Sequence, residues 1–158
     1  MKKIMFVCHG NICRSPMAEF IMKELARKAG VADCLHIDSS ATSNEEIGNG
    51  IYPPAEYTLS MHDVPCKGHR AHRFTVEEYN SFDMVVVMED YNVRNLMRII
   101  GCDCGGKVWK LLDFVESSGI LGGGGLYFPQ DDDRVGRAVH GEFQNLFQLQ
   151  SQFGDGVF

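Results

Sequence analysis

The stretch IMFVCHGNICRSPMAEF, residues 4–20, constrains this chain more than any other. Four apolar residues, enough for a strand buried on both faces and too few for a helix, run directly into Cys8. Arg14 follows six positions later. Pro16 then marks a helix start, because the N–H that proline lacks has no intrahelical partner in the first turn. Ala18, Ile21, Met22, Leu25 and Ala29 keep helical spacing up to Gly30, a predicted C-terminal stop. Strand, short loop and helix without slack make the first half of a crossover that returns to a parallel neighbour.

The rhythm repeats downstream. Residues 35–39 predict a second strand, residues 54–62 a helix opened by Pro53-Pro54, and residues 40–52 show no clear pattern. Thr75-Val-Glu-Glu78 is a capping box, in which the Thr and Glu side chains satisfy each other's backbone N–H groups at a helix start. MVVVM, residues 84–88, predicts the third strand. Val93, Leu96, Met97 and Ile100 form the next helix face, and residues 107–112 the fourth strand. Strands alternating with helices predict an α/β fold: a single-domain doubly wound four-stranded parallel sheet, order 2-1-3-4, with helices on both faces. In such sheets ligands sit outside the carboxyl ends of the strands, where Cys8 lies.

At 158 residues the chain is one domain, residues 1–158. Residues 115–158 are atypical, with four consecutive glycines from 122, three consecutive aspartates from 131 and no lysine after Lys110; a poorly ordered tail is expected there. A net charge of -6 leaves no broad basic face for nucleic acid or an anionic membrane. No apolar run reaches signal-peptide or membrane-span length, so a cytoplasmic location is expected. With a conventional core the six cysteines are expected as reduced thiols. Cys102-Asp-Cys104 finds no CxxC or paired histidine to complete a zinc site, so neither metal nor cofactor is expected.

Cys8 and Arg14 bracket a loop whose backbone N–H groups can curl around one tetrahedral anion. Gly10 permits a tight turn, the helix behind Pro16 adds its positive end, and Arg14 can fork two bonds onto phosphate oxygens. The same field favours thiolate over thiol; cysteines in such surroundings titrate at about 3.5–7.5 against about 8.5 when free. Ser15 can donate to the same sulfur. A thiolate facing phosphorus is set for in-line attack through a cysteinyl-phosphate, which is phosphomonoester hydrolysis without a metal. Cys13, close by in the loop, either packs against the helix or traps Cys8 as a disulfide under oxidation.

FVCHGNICRSPMAEF, joined by SSATSNEEIGN (39–49), HRAHRF (69–74) and FDMVVVMEDYN (82–92) in that order, resembles the low-molecular-weight protein tyrosine phosphatase family over residues 1 to about 114. The resemblance implies Cys8 as nucleophile, with His9, Gly10, Asn11, Ile12 and Cys13 as the phosphate cradle and Arg14 as transition-state clamp. It assigns Asn11, Ser15, Ser40 and His69 to a buried polar network behind the loop, and Ile47 and Asn49 to the substrate wall. Glu89 stands where the family commonly has Asp as support. It implies phosphotyrosine-containing protein as substrate, inorganic phosphate and similar oxyanions as competitive ligands, and a monomer or weak homodimer. The family's general acid is an Asp-Pro aspartate followed by aromatic residues. No Asp-Pro occurs here; Asp131, Asp132 and Asp133 lie in the right region, Asp132 being taken as the acid, with Tyr127 and Phe128 before them instead of after. An out-of-frame reading of the gene's end would account for the changed tail. Two other functions share the loop: a phosphate- or phosphotyrosine-binding module without an acid, and a thiol-dependent arsenate reductase relaying a disulfide through Cys102 and Cys104.

Overall fold

In the computed structural model, which describes residues 1–116, four strands lie parallel: β1 (Lys2–Cys8), β2 (Leu35–Ala41), β3 (Met84–Val87) and β4 (Val108–Lys110). Their order is β2-β1-β3-β4, as the crossover rhythm predicts. Five helices accompany them: α1 (Arg14–Lys28), α2 (Pro53–Met61), α3 (Val76–Ser81), α4 (Asp90–Ile100) and α5 (Asp113–Glu116). No helix among the described residues is long and apolar enough to cross a membrane.

The central strand explains the continuous apolar run of the sequence. Ile4 and Phe6 of β1 pack into one core with Met17, Ile21 and Met22 of α1 and Leu59 of α2. Met5 and Val7 face the other way, into a second core with Phe74, Tyr79, Phe82 and Leu96 under α3 and α4. A strand covered on both faces gains from being apolar at every position. The pairing of β1 with β2 sets Phe6 beside Ser39 and Val7 beside Ser40. Successive strand residues face opposite sides, so these two adjacent serines belong to different layers.

Helix ends follow local chemistry. Gly30 takes φ +72° after α1, while its N–H bonds Arg27 O and that of Val31 bonds Ala26 O. This paired closure satisfies two carbonyls that the helix end would otherwise leave without donors. At α3 the Thr75–Glu78 capping box forms as expected. β2 runs two residues past the expected end, to Ala41, whose N–H and carbonyl pair with His72 O and Phe74 N. Two serines interrupt the apolar signal there without interrupting the strand. β4 is shorter than expected, because the chain turns at residues 111–112 into α5.

The cysteine expectation is corrected at one pair. Cys102 and Cys104, expected as free thiols, are disulfide-bonded with Cα atoms 5.4 Å apart. The turn closes around Asp103, whose carboxylate accepts from Tyr79 Oη at 2.6 Å and from the N–H groups of Lys107 and Val108 at 2.8 and 3.1 Å. Gathering the backbone onto one central carboxylate brings the flanking Cα atoms within disulfide reach. Cys8, Cys13, Cys34 and Cys66 are not disulfide-bonded.

Candidate active site

Cys8 ends β1 and the backbone does not return to regular structure until α1, so residues 9–13 are free to curl. What curls them is a set of donors outside the loop. Cys8 O accepts from Thr42 N at 2.9 Å, His9 O from Ser43 N at 3.0 Å and Ile12 O from Tyr52 N at 2.7 Å. Asn11 O takes His69 Nε2 at 2.7 Å. Since a carbonyl only accepts, that ring nitrogen carries the proton. Four loop carbonyls are thus engaged from outside, whereas among the described residues the N–H groups of Gly10 and Ile12 donate to no protein acceptor. A turn with its carbonyls tied back and N–H groups left over is an anion-binding concavity.

The turn changes hand at Asn11, which sits fully buried at φ +57°. Asparagine tolerates that region because its short side chain hydrogen-bonds locally. Here Nδ2 donates to Ser15 Oγ and to Ser39 Oγ, both at 2.9 Å, while Oδ1 accepts from His72 N at 3.2 Å. Ser39 Oγ passes the chain on by donating to Glu19 Oε2 at 2.5 Å, and Glu19 is ion-paired to Lys23. Asn11, Ser15, Ser39 and Glu19 are all buried. Such a fully paired network rigidifies what it holds.

This corrects the assignment of Ser40. Among the described residues its buried Oγ has no hydrogen-bond partner, and it contributes only its carbonyl, 3.4 Å from Ser15 Oγ. The network hydroxyl is that of Ser39, which shares with Phe6 the layer of α1. Glu19 is the other member missed by sequence reasoning, although a signal was present: Ser15 and Glu19, four residues apart on α1, line one face.

Two donors converge on sulfur. Asn11 N lies 3.3 Å and Ser15 Oγ 3.0 Å from Cys8 Sγ. Ser15 Oγ already accepts from Asn11 Nδ2, which leaves its own proton for the sulfur or the more distant Ser40 carbonyl. Against an ionised sulfur, Ser15 is the donor. Arg14 Nη1 is held 2.9 Å from Glu89 Oε1. Burial pushes the Cys13 thiol up, the neighbouring Cys8 adds to this, and Arg14 opposes it.

The substrate-wall residues are less closely engaged. Ile47 is 54% exposed, and Asn49 Nδ2 bonds Glu46 Oε2 at 2.6 Å. From this segment it is Glu45 that reaches His9, with Oε2 3.1 Å from Nε2, and Glu46 that lies against Gly10, where an added Cβ would stand 3.2 Å from its Cγ. The His9 ring faces Tyr91, with centroids 5.9 Å apart. Asp131, Asp132, Asp133, Tyr127 and Phe128 lie outside the described residues. Cys102 and Cys104 precede β4, at the amino ends of parallel strands, while Cys8 is at a carboxyl end. That places the paired thiols at the opposite pole of the sheet from the loop, out of position for a relay.

The sequence model for "Low molecular weight phosphotyrosine protein phosphatase" matches residues 3–122. The low molecular weight protein-tyrosine-phosphatase YfkJ of Bacillus subtilis is 32% identical over 120 residues, covering 76% of this chain and 77% of that protein. The human low molecular weight phosphotyrosine protein phosphatase is 37% identical over 97 residues, a match spanning 61% of each chain. The crystal structure of YfkJ superposes with a TM-score of 0.74 at 29% identity, covering 96% of both chains. With the cysteine-phosphatase fold and the curled loop after β1, these likenesses mean that the chain belongs to the low molecular weight phosphotyrosine protein phosphatase family.

Proposed function

We propose that the chain is a protein tyrosine phosphatase that hydrolyses phosphotyrosine and aryl phosphates at Cys8. The observation carrying this reading is the pair of donors, Asn11 N and Ser15 Oγ, within 3.3 Å of Cys8 Sγ at the floor of a loop with unpaired N–H groups. The phosphoryl group seats in the loop of residues 9–13, its charge met by N–H dipoles, the start of α1 and the Arg14 guanidinium. Sulfur attacks phosphorus in line; the S–P bond forms as the P–O(aryl) bond breaks, and the electron pair leaves on the phenolate oxygen. Water then attacks the cysteinyl-phosphate, releasing inorganic phosphate and returning sulfur as thiolate, with Ser15 donating to it at each stage. Phosphotyrosine-bearing proteins are the substrates, and inorganic phosphate and related oxyanions compete for the loop.

Asp132 is proposed as the acid that protonates the leaving oxygen. A general acid contributes about 10²–10⁴ in rate, more for a poor leaving group than for an activated one. The test is the pH–rate profile for p-nitrophenyl phosphate beside that for phosphotyrosine. Cys8→Ser is expected to abolish turnover of both, and orthovanadate to protect Cys8 from alkylation. A basic limb lost in Asp132→Asn supports the acid; a profile unchanged by that substitution removes Asp132 from the mechanism. Undiminished turnover by Cys8→Ser would overturn the whole reading.

A further inference from the structure

Residues 64–76 contain Lys67, Arg70, Arg73, His69 and His72 and no carboxylate, in a chain of net charge -6. Residues 66–70 of this segment line an open pocket of about 220 Å³ together with Gly50, Ile51 and Glu56. Neither Lys67 nor Arg70 has a carboxylate partner among the described residues; Arg70 Nη1 reaches only the His69 carbonyl at 3.1 Å. Burial and the nearby Glu56 push the Cys66 thiol up, so Cys66 adds no negative charge. Glu56 is thus the lone formal negative charge in the lining, against two cations.

We propose that this pocket is a second oxyanion site, separate from the Cys8 loop, taking a carboxylate, sulfate or phosphate group between Lys67 and Arg70. A guanidinium and an ammonium without carboxylate partners among the described residues suit such a group by charge and by donor number. The site is tied to the catalytic loop by both of its walls. His69 donates to Asn11 O. Gly50 and Ile51 lead directly into Tyr52, whose N–H holds Ile12 O. One of the four carbonyl ties that curl the loop therefore issues from the lining of this pocket, and a second from the residue that follows it in the chain. The anion is either a free one or an acidic side chain next to the phosphotyrosine of a substrate, and the two sources are separable.

The site is read with the Cys8 loop filled by orthovanadate, titrating inorganic sulfate into the full chain and following backbone amide resonances. Saturable shifts at Gly50, Gly68 and Arg70 are expected, lost in the double variant Lys67→Gln/Arg70→Gln and restored in Lys67→Arg/Arg70→Lys. In parallel, kcat/KM is compared for phosphotyrosine peptides flanked by Glu or by Ala. A preference for Glu of about 2–5-fold, as expected for a partly exposed charge pair, falling to unity in the Gln variant, assigns the site to substrate. Sulfate shifts without that preference assign it to a free anion. Absence of both, in variants with wild-type circular dichroism, overturns the proposal. A failure of vanadate to protect Cys8 strikes instead at the proposed phosphatase chemistry; sulfate shifts that the Gln variant loses still report the second site, because those substitutions leave the Cys8 loop intact.

Discussion

Adjacent serines at the end of β2 are expected to respond oppositely to the same substitution. Ser39→Ala deletes an oxygen that accepts from Asn11 Nδ2 and donates to Glu19 Oε2, within a region excluded from water. Leaving a buried amide N–H unpaired costs about 1–3 kcal/mol, and losing a hydrogen bond to a carboxylate about 1.5–3 kcal/mol. Asn11 keeps Ser15, and Glu19 keeps Lys23, so some relaxation is available. The expected loss is about 2–4 kcal/mol, a large share of the roughly 5–15 kcal/mol that holds a domain folded. Ser40→Ala deletes a buried hydroxyl that has no partner among the described residues. It retains the carbonyl facing Ser15 and is expected to be neutral, or to stabilise by up to about 1 kcal/mol. Urea unfolding followed by circular dichroism measures both; at about 1–3 kcal/mol per molar, Ser39→Ala should lower the midpoint by about 1–2 M. Because Asn11 positions the N–H that meets Cys8 Sγ, kcat for p-nitrophenyl phosphate should fall in Ser39→Ala alone. A Ser39→Ala protein within about 0.5 kcal/mol of wild type, the scale of an ordinary surface substitution, or a Ser40→Ala protein that loses as much, would refute the assignment.

Three further outcomes are expected. Glu89→Ala releases Arg14 from its 2.9 Å partner and should lower kcat/KM about 2–5-fold, with Glu89→Asp recovering part of it; steady-state kinetics showing no change would remove Glu89 from the support of Arg14. The hydrogen bond that His72 donates to Glu78, against the opposing effect of burial, raises the His72 pKa above its ordinary 6.5. The stability from this pair is therefore complete below about pH 6.5 and lost as pH rises through the raised folded value. Partly exposed, it is expected at about 0.2–1 kcal/mol, so the Tm difference between wild type and His72→Gln should shrink from pH 6 to pH 9; a widening gap would contradict the sign. Finally, denatured but unreduced protein should titrate four thiols, those outside the disulfide at positions 8, 13, 34 and 66. Reduction should cost no more than about 1–2 kcal/mol, because the loop it opens is very short, and a count of six before reduction would exclude the Cys102–Cys104 bond.

What could be read from the chain alone was whatever is encoded by neighbours in sequence. The strand–loop–helix from β1 to α1, the Thr75 capping box and the Gly30 closure depend on residues within a few positions of each other, and their physics is local. The alternation of strands and helices, with the handedness of crossovers, carried this as far as the sheet order. The same locality identified Cys8 and Arg14, since a strand end, a short loop and a helix start are legible in consecutive residues, although the curl between them is held by Thr42, Ser43, Tyr52 and His69 from outside.

The choice between Ser39 and Ser40 was of another kind. Both are small, polar and equally suited to bonding an amide; which of them meets Asn11 is decided by the parity of β2 against β1, with Ser39 beside Phe6 and Ser40 beside Val7. Parity comes from pairing, and pairing from hydrophobic burial across the whole sheet. The reach of His69 to Asn11, the meeting of Glu45 with His9, and the closing of Cys102 on Cys104 around Asp103 likewise join groups that only the packed chain sets side by side. Composition and spacing name the atoms able to react or bind; their directions are settled when the layers close, because a hydrogen bond fails over an ångström or a wrong face.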